Sequence, residues 1–79
     1  MSATAGECRR LDARGLSCPM PLLKARAMLA GMSRGECLEI LATDPDAEAD
    51  LRAYCEQAGH RLLEVCASAG DTVVRLQKG

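Results

Sequence analysis

The chain has 79 residues, a formal charge of −1 and 48% hydrophobic content, which points to one domain with a small core; at this size folding buries only about 60% of the surface an unfolded chain exposes. Phenylalanine and tryptophan are absent, and Tyr54 is the one aromatic residue. Without a set of rings to stack bases or a basic excess to meet phosphates, direct nucleic-acid binding is not expected.

Residues 1–6 read as a small, polar, flexible start that lacks the apolar stretch of a signal peptide, and residues 7–79 read as a single domain. No run approaches the roughly 20 apolar residues of a membrane span, so a cytoplasmic location is expected. Cys8, Cys18, Cys37, Cys55 and Cys66 are odd in number and widely spaced, which fits reduced thiols better than a disulfide framework.

Cys8 to Leu11 forms a short strand, and the turn-prone Asp12-Ala13-Arg14-Gly15 leads into Leu16-Ser17-Cys18-Pro19-Met20-Pro21. A helix follows, with Leu22, Ala25, Met28, Leu29 and Met32 near one face and Gly31 with Gly35 at its close. Leu38, Ile40 and Ala42 alternate with Glu39 and Leu41 as a second strand. Asp44 suits an N-cap and Pro45 a first helical turn, so a second helix runs with Ala47, Leu51, Tyr54, Cys55 and Ala58 on one side until Gly59 stops it. Leu63, Val65 and Ala67 make a third strand, Ser68 to Asp71 a turn, and Thr72, Val74 and Leu76 a fourth strand. The order βαβαββ predicts a two-layer α/β sandwich, with both helices on one face of a four-stranded mixed sheet. Glu39, Glu64, Arg75 and Gln77 then belong to the other, solvated face.

Cys18-Pro19-Met20-Pro21 is the segment that carries chemistry. Two prolines flanking one residue are helical only within a first turn, where N–H groups have no partner. With Cys18 as the N-cap, both prolines fall at donor-free positions, and the residue before a proline prefers the extended geometry of a cap. The sulfur would then sit at the positive end of the helix dipole, near the N–H groups of Cys18 and Met20, with a thiol pKa below the free value of about 8.5. Arg14 in the preceding turn would add positive charge. Position 21 is proline, so Cys18 lacks the resolving thiol of a C-x-x-C pair and suits accepting and releasing a group. No pair among Cys, His60, Asp and Glu has zinc-ligand spacing.

These segments, with Asp44-Pro45, Asp50-Leu51 and Gly59-His60, make residues 11–79 resemble the TusA/SirA family of sulfur-carrier proteins. The resemblance implies that Cys18 takes up sulfane sulfur as a persulfide from a cysteine desulfurase or rhodanese and relays it to a protein acceptor. It implies no cofactor beyond that covalent sulfur and no direct nucleic-acid contact, and the chain is expected to be a monomer when free. Arg14, Gly15, Pro19, Met20, Pro21, Asp44 and Asp50 fall at positions that support the site or dock a partner. Two positions depart from members that serve tRNA thiolation: Met20 stands where they tend to have glutamate, and Thr43-Asp44 where they have two acids. An apolar residue beside the sulfur suits other docking surfaces, such as those of sulfur oxidation or general sulfur relay.

The remaining candidates have plainer roles. Cys37, Cys55 and Cys66 lie inside periodic elements and read as packing residues, Cys8 as structural or incidental, and His60 as a surface contact after a helix stop. Arg14, Lys24 and Arg26 read as solvated charges. Two other functions fit the same residues: a non-catalytic regulatory or interaction module, and a peroxide-sensing thiol at Cys18.

Overall fold

The computed structural model describes residues 8–79; the expected flexible start at residues 1–6 lies outside them. Where apolar residues alternate with polar ones the backbone is extended, and where they recur every three or four it is helical. The elements are Cys8–Ala13 (β1), Met20–Ala30 (α1), Cys37–Ala42 (β2), Ala47–Ala58 (α2), Arg61–Ser68 (β3) and Asp71–Gln77 (β4). The sheet order is β1-β2-β4-β3, with β1 parallel to β2 and the other pairs antiparallel. The parallel pair needs a crossover, which α1 supplies. The expected mixed sheet with two helices on one face is therefore what the chain builds.

Leu38, Ile40 and Ala42 of β2, with Val74 and Leu76 of β4, are fully buried under the helices. Ala25, Leu29 and Met32 come down from the α1 side, and Ala47, Leu51 and Cys55 from α2. Each large aliphatic side chain buried here contributes about 1.5–3 kcal/mol. Leu22, Met28 and Tyr54 pack at the margin of this core, while Ala58 is exposed. Gly59 ends α2 in the left-handed conformation, φ 81°, with its N–H donating to the Cys55 carbonyl, as a glycine stop should. Lys78 closes the end of α1 by donating from Nζ to the Leu29 and Met32 carbonyls, each at 2.6 Å.

The other face of the sheet carries the expected Glu39, Glu64, Arg75 and Gln77. Arg10, Glu39, Arg75 and Glu64 stand in one register row across all four strands, so the charges alternate from edge to edge. Arg10 lies 3.4 Å from Glu39, and Arg75 lies 3.7 Å from Glu39 and 3.6 Å from Glu64. Opposite charges across neighbouring strands contribute roughly 0.2–1 kcal/mol each, so the row favours this register without dominating stability.

Three elements differ from the sequence reading. β1 runs on to Ala13, because Ala13 pairs with Ala42 and is fully buried. In β3 a bulge at Leu63 breaks the simple alternation: Leu62 pairs with Leu76 and Glu64 with Arg75, so Leu62 and Val65 turn inward and Leu63 faces solvent at 47% exposure. The β3–β4 turn is the two residues Ala69 and Gly70, both at positive φ, 52° and 86°. That geometry follows the right-handed twist of the flanking strands.

The cysteines divide differently from the expectation of five reduced thiols. Cys8 and Cys37 are joined in a disulfide, Cys55 is a buried thiol, and Cys18 and Cys66 are exposed thiols. Only Cys55 is the packing residue foreseen. The pairing rests on register: Cys8 and Cys37 are directly opposed in the parallel ladder, 29 residues apart in sequence. Cys66 points to the open face of the sheet, and its thiol donates to Glu64 at 3.2 Å, which raises its pKa.

Candidate functional site

The strands β1 and β2 run parallel, so their C-terminal ends, Ala13 and Ala42, lie side by side and deliver two loops to one rim of the sheet. In parallel α/β units this rim is where ligands and chemistry collect. The first loop turns at Arg14-Gly15. The Asp12 carboxylate accepts from the Arg14 backbone N–H at 3.1 Å and from its guanidinium at 2.9 Å through both oxygens. This clamp holds the Asp12 carboxyl down at about 2. Gly15 sits at φ 81° and donates its N–H to Thr43 Oγ1 at 2.9 Å, which ties the first loop to the second. An added Cβ at Gly15 would meet nothing within 4 Å, so the left-handed backbone alone calls for glycine.

Cys18 follows three residues after Gly15, exposed, at the entrance to α1. The N-cap of α1 is Pro19, not Cys18: the helix starts at Met20, and Pro21 occupies its second position. The physical reason is a tight turn ahead of the helix, in which the Met20 N–H donates to the Ser17 carbonyl at 2.8 Å. The Pro19 carbonyl then accepts the first helical bond, from Leu23 at 3.0 Å. Pro21 still needs no donor, so both prolines fit the helix start with the register moved by one residue.

That single-residue shift changes the electrostatics of the sulfur. Pro19 and Pro21 carry no N–H, and the N–H of Met20, one of the two donors expected to stabilise a thiolate, is spent on Ser17. Cys18 Sγ instead donates to Asp50 Oδ2 at 2.9 Å. Its pKa is pushed up to about 11 from the ordinary 9.0, first by this hydrogen bond, then by desolvation and by the negative charge of Asp50, Asp44 and Asp46. The expected lowered pKa is therefore reversed. Arg14, expected to add positive charge here, is engaged by Asp12 at 2.9 Å and Asp71 at 3.5 Å.

Asp44 does not cap α2 either. Its carboxylate accepts from the Asp46 N–H at 3.1 Å and its carbonyl from Ala47 at 3.2 Å, so Asp44-Pro45-Asp46-Ala47 is a turn in front of the helix. Asp46 becomes the cap, and Pro45 lies outside the helix rather than in its first turn. The rim thus brings together Cys18, Asp44, Asp46 and Asp50, with Gly15, Pro19 and Pro21 shaping the backbone and Arg14 held by Asp12 and Asp71. Asp46 was missed from the sequence. Its only signal there is its place one turn before Asp50.

Met20 and Leu23 lie exposed on the first turn of α1, at 41% and 44%. Beyond Leu23 an open groove of about 610 Å³ runs between the helices, lined by Arg26, Tyr54, His60 and Lys78 among others. Arg26 stacks over the Tyr54 ring at 5.5 Å. His60 Nδ1 accepts from the Gly79 N–H at 3.1 Å, a contact within the fold. Among the described residues, no group of three or more His, Cys, Asp or Glu side chains is gathered for a metal ion, and no helix is long and apolar enough to cross a membrane.

Replacing Asp50 with asparagine removes the largest cause of the raised pKa. If the thiol falls from about 11 toward 9.0, the thiolate fraction at pH 7 rises by up to about a hundredfold. Nucleophilicity falls as the pKa falls, with a Brønsted slope of about 0.4–0.5, so the net gain in alkylation rate is about tenfold. Alkylation of Cys18 with iodoacetamide from pH 6 to 11 measures it, and an unchanged profile would show that Asp50 does not hold the proton.

The family described as Sulfurtransferase TusA matches residues 9–78. The sulfur carrier protein TusA of Allochromatium vinosum is 45% identical over 56 residues, covering 71% of this chain and 74% of that protein. The TusA of Pseudomonas putida is 34% identical over 68 residues, covering 86% of this chain and 85% of its own length. The crystal structure of a SirA-like protein from Desulfitobacterium hafniense superposes with a TM-score of 0.79 at 25% identity, over 89% of this chain and 96% of that one. By the extent of these matches, and with the fold they share, the chain belongs to the TusA family of sulfur carriers.

Proposed function

We propose that this chain accepts sulfane sulfur on Cys18 as a persulfide and hands it to a protein acceptor. The observation that carries the reading is an exposed thiol with a carboxylate at 2.9 Å and no second thiol beside it. Cys8 and Cys37 are bonded to each other, Cys55 is buried, and Cys66 is on the open sheet face.

The transfer is an exchange at sulfur. Cys18 Sγ attacks the terminal sulfur of a donor persulfide, a new S–S bond forms, the donor's own S–S bond breaks, and the donor thiolate leaves. The proton of Cys18 passes to Asp50, which is within reach as a base, and ends on the departing thiolate or in water. A thiol held protonated at rest reacts slowly with bystanders, which suits a carrier that waits for its donor. Once loaded, the terminal sulfur is an anion facing Asp44, Asp46 and Asp50. That repulsion favours onward transfer over storage.

A cysteine desulfurase or a rhodanese is the donor class this chemistry needs, and the acceptor is a second protein with a reactive thiol. The exposed pair Met20 and Leu23 offers apolar contact next to the sulfur, with no cofactor required. We take the free chain as a monomer and the cytoplasm as its location, since the reading requires a free thiol at Cys18. Incubation of the reduced protein with a cysteine desulfurase and cysteine, read by intact mass and peptide mapping, should add one sulfur atom at Cys18. No gain, or a gain at Cys66 alone, would sink the reading and leave an interaction module in its place.

A further inference from the structure

Cys8 and Cys37 meet across the parallel pair β1 and β2, with their Cα atoms 4.5 Å apart. Cys37 alternates with the core residue Leu38, and Cys8 stands opposite Cys37 in the ladder, so both belong to the sheet face that no described helix covers. Each is half-buried rather than sealed in the core. The pair is also far from the carrier thiol. It stands at the N-terminal ends of β1 and β2, whereas Cys18 follows their C-terminal ends, about 16 Å of strand away.

The same chain therefore holds a disulfide and a free, exposed thiol. We propose that Cys8 and Cys37 are a reversible dithiol–disulfide couple that takes up oxidation by low-molecular-weight disulfides and leaves Cys18 free. This goes beyond the carrier reading and does not depend on it. The chemistry distinguishes the sites. A thiolate of the pair attacks the small disulfide, forming a mixed disulfide and expelling one small thiolate. Its neighbour then attacks the protein sulfur of that bond and expels the second. Two electrons pass to the small disulfide, and the two thiol protons go to the two leaving thiolates.

The second step is intramolecular, between groups the sheet register already holds opposed, so it is fast and drives the first forward. Cys18 has no such neighbour. Exchange there stops at a mixed disulfide that the small thiol reverses, and its hydrogen bond to Asp50 keeps the attacking form scarce. Cys66 is restrained in the same way by Glu64 at 3.2 Å, and Cys55 lies in the core.

The test is a titration of the fully reduced, native chain with increasing ratios of oxidised to reduced glutathione, quenched by alkylation and read by peptide mapping. The Cys8–Cys37 cross-link should reach half occupancy at a ratio at least about tenfold lower than half modification of Cys18. A thioredoxin-type dithiol should reopen it without denaturant. In Cys8→Ser the cross-link should vanish and Cys37 should carry glutathione instead. Glutathione on Cys18 before the pair closes, absence of the cross-link, or a cross-link that opens only in denaturant would each overturn the proposal.

Discussion

Cys18→Ser is expected to abolish sulfur uptake and to leave the fold in place. Serine oxygen forms no stable bond to sulfane sulfur, so the expected loss is complete. The structural cost is small because the side chain is exposed and the serine hydroxyl can donate to Asp50 as the thiol does. Surface substitutions of this kind stay within about 0.5 kcal/mol. Circular dichroism melts and intact mass after donor treatment read the two halves separately. A sulfur adduct that persists on the serine variant would assign the chemistry to another cysteine. A large drop in melting temperature would assign Cys18 a structural role.

Leu51→Ala has the largest expected effect on stability. Leu51 is fully buried in the core on α2, next in sequence to Asp50. Truncation of a buried leucine costs about 2–5 kcal/mol, depending on how far the cavity collapses. A domain of this size has on the order of 4–12 kcal/mol in all, so the variant loses between a sixth of its stability and the whole. Urea unfolding should show a lower midpoint with an unchanged slope. The Cys8–Cys37 bond must be in the same state in both proteins, because closing a loop of 29 residues contributes about 3–4 kcal/mol. A loss below about 1 kcal/mol would mean that Leu51 does not anchor α2.

Local pattern was enough for the order and type of the elements and for singling out the loop that carries an exposed thiol at the entrance to α1. The alternation of Leu38, Ile40 and Ala42, the helical spacing of Ala47, Leu51 and Cys55, and the glycine stop at Gly59 are short-range signals, and each appears in the fold. Positions set by long-range contacts were hidden. The partner of Cys8 depends on how β1 registers against β2, which no local spacing encodes. The bulge at Leu63 was masked because Leu62, Leu63 and Val65 allow two different inward faces, and only pairing with β4 selects one.

Both helix starts were misplaced by the same cause: turns built from backbone atoms and an aspartate precede the helices. Ser17 and Asp44 accept the N–H groups that a cap-first reading leaves free. The sign of the Cys18 shift followed from that error, since Asp50 reaches the sulfur across 32 residues. Asp50 was named from the sequence as a supporting position, but not as the partner of the sulfur. It stands four residues before Tyr54, which stacks with Arg26 of α1, and so shares the edge of α2 that faces α1.

The rim where β1 and β2 end is tied together mainly through main-chain groups: the Gly15 N–H, the Ser17 and Pro19 carbonyls, the Asp44 carbonyl and the Asp46 N–H. Ser17, Met20, Leu23 and Pro45 project outward from it, and their side chains take no part in these bonds. Such an arrangement separates what a carrier must keep from what it can vary. Exchange of the outward residues alters what a partner would meet at this rim while Cys18 keeps its place on the same scaffold. Change at Gly15, Thr43 or Asp44 has no such freedom, because it alters the mounting rather than the address.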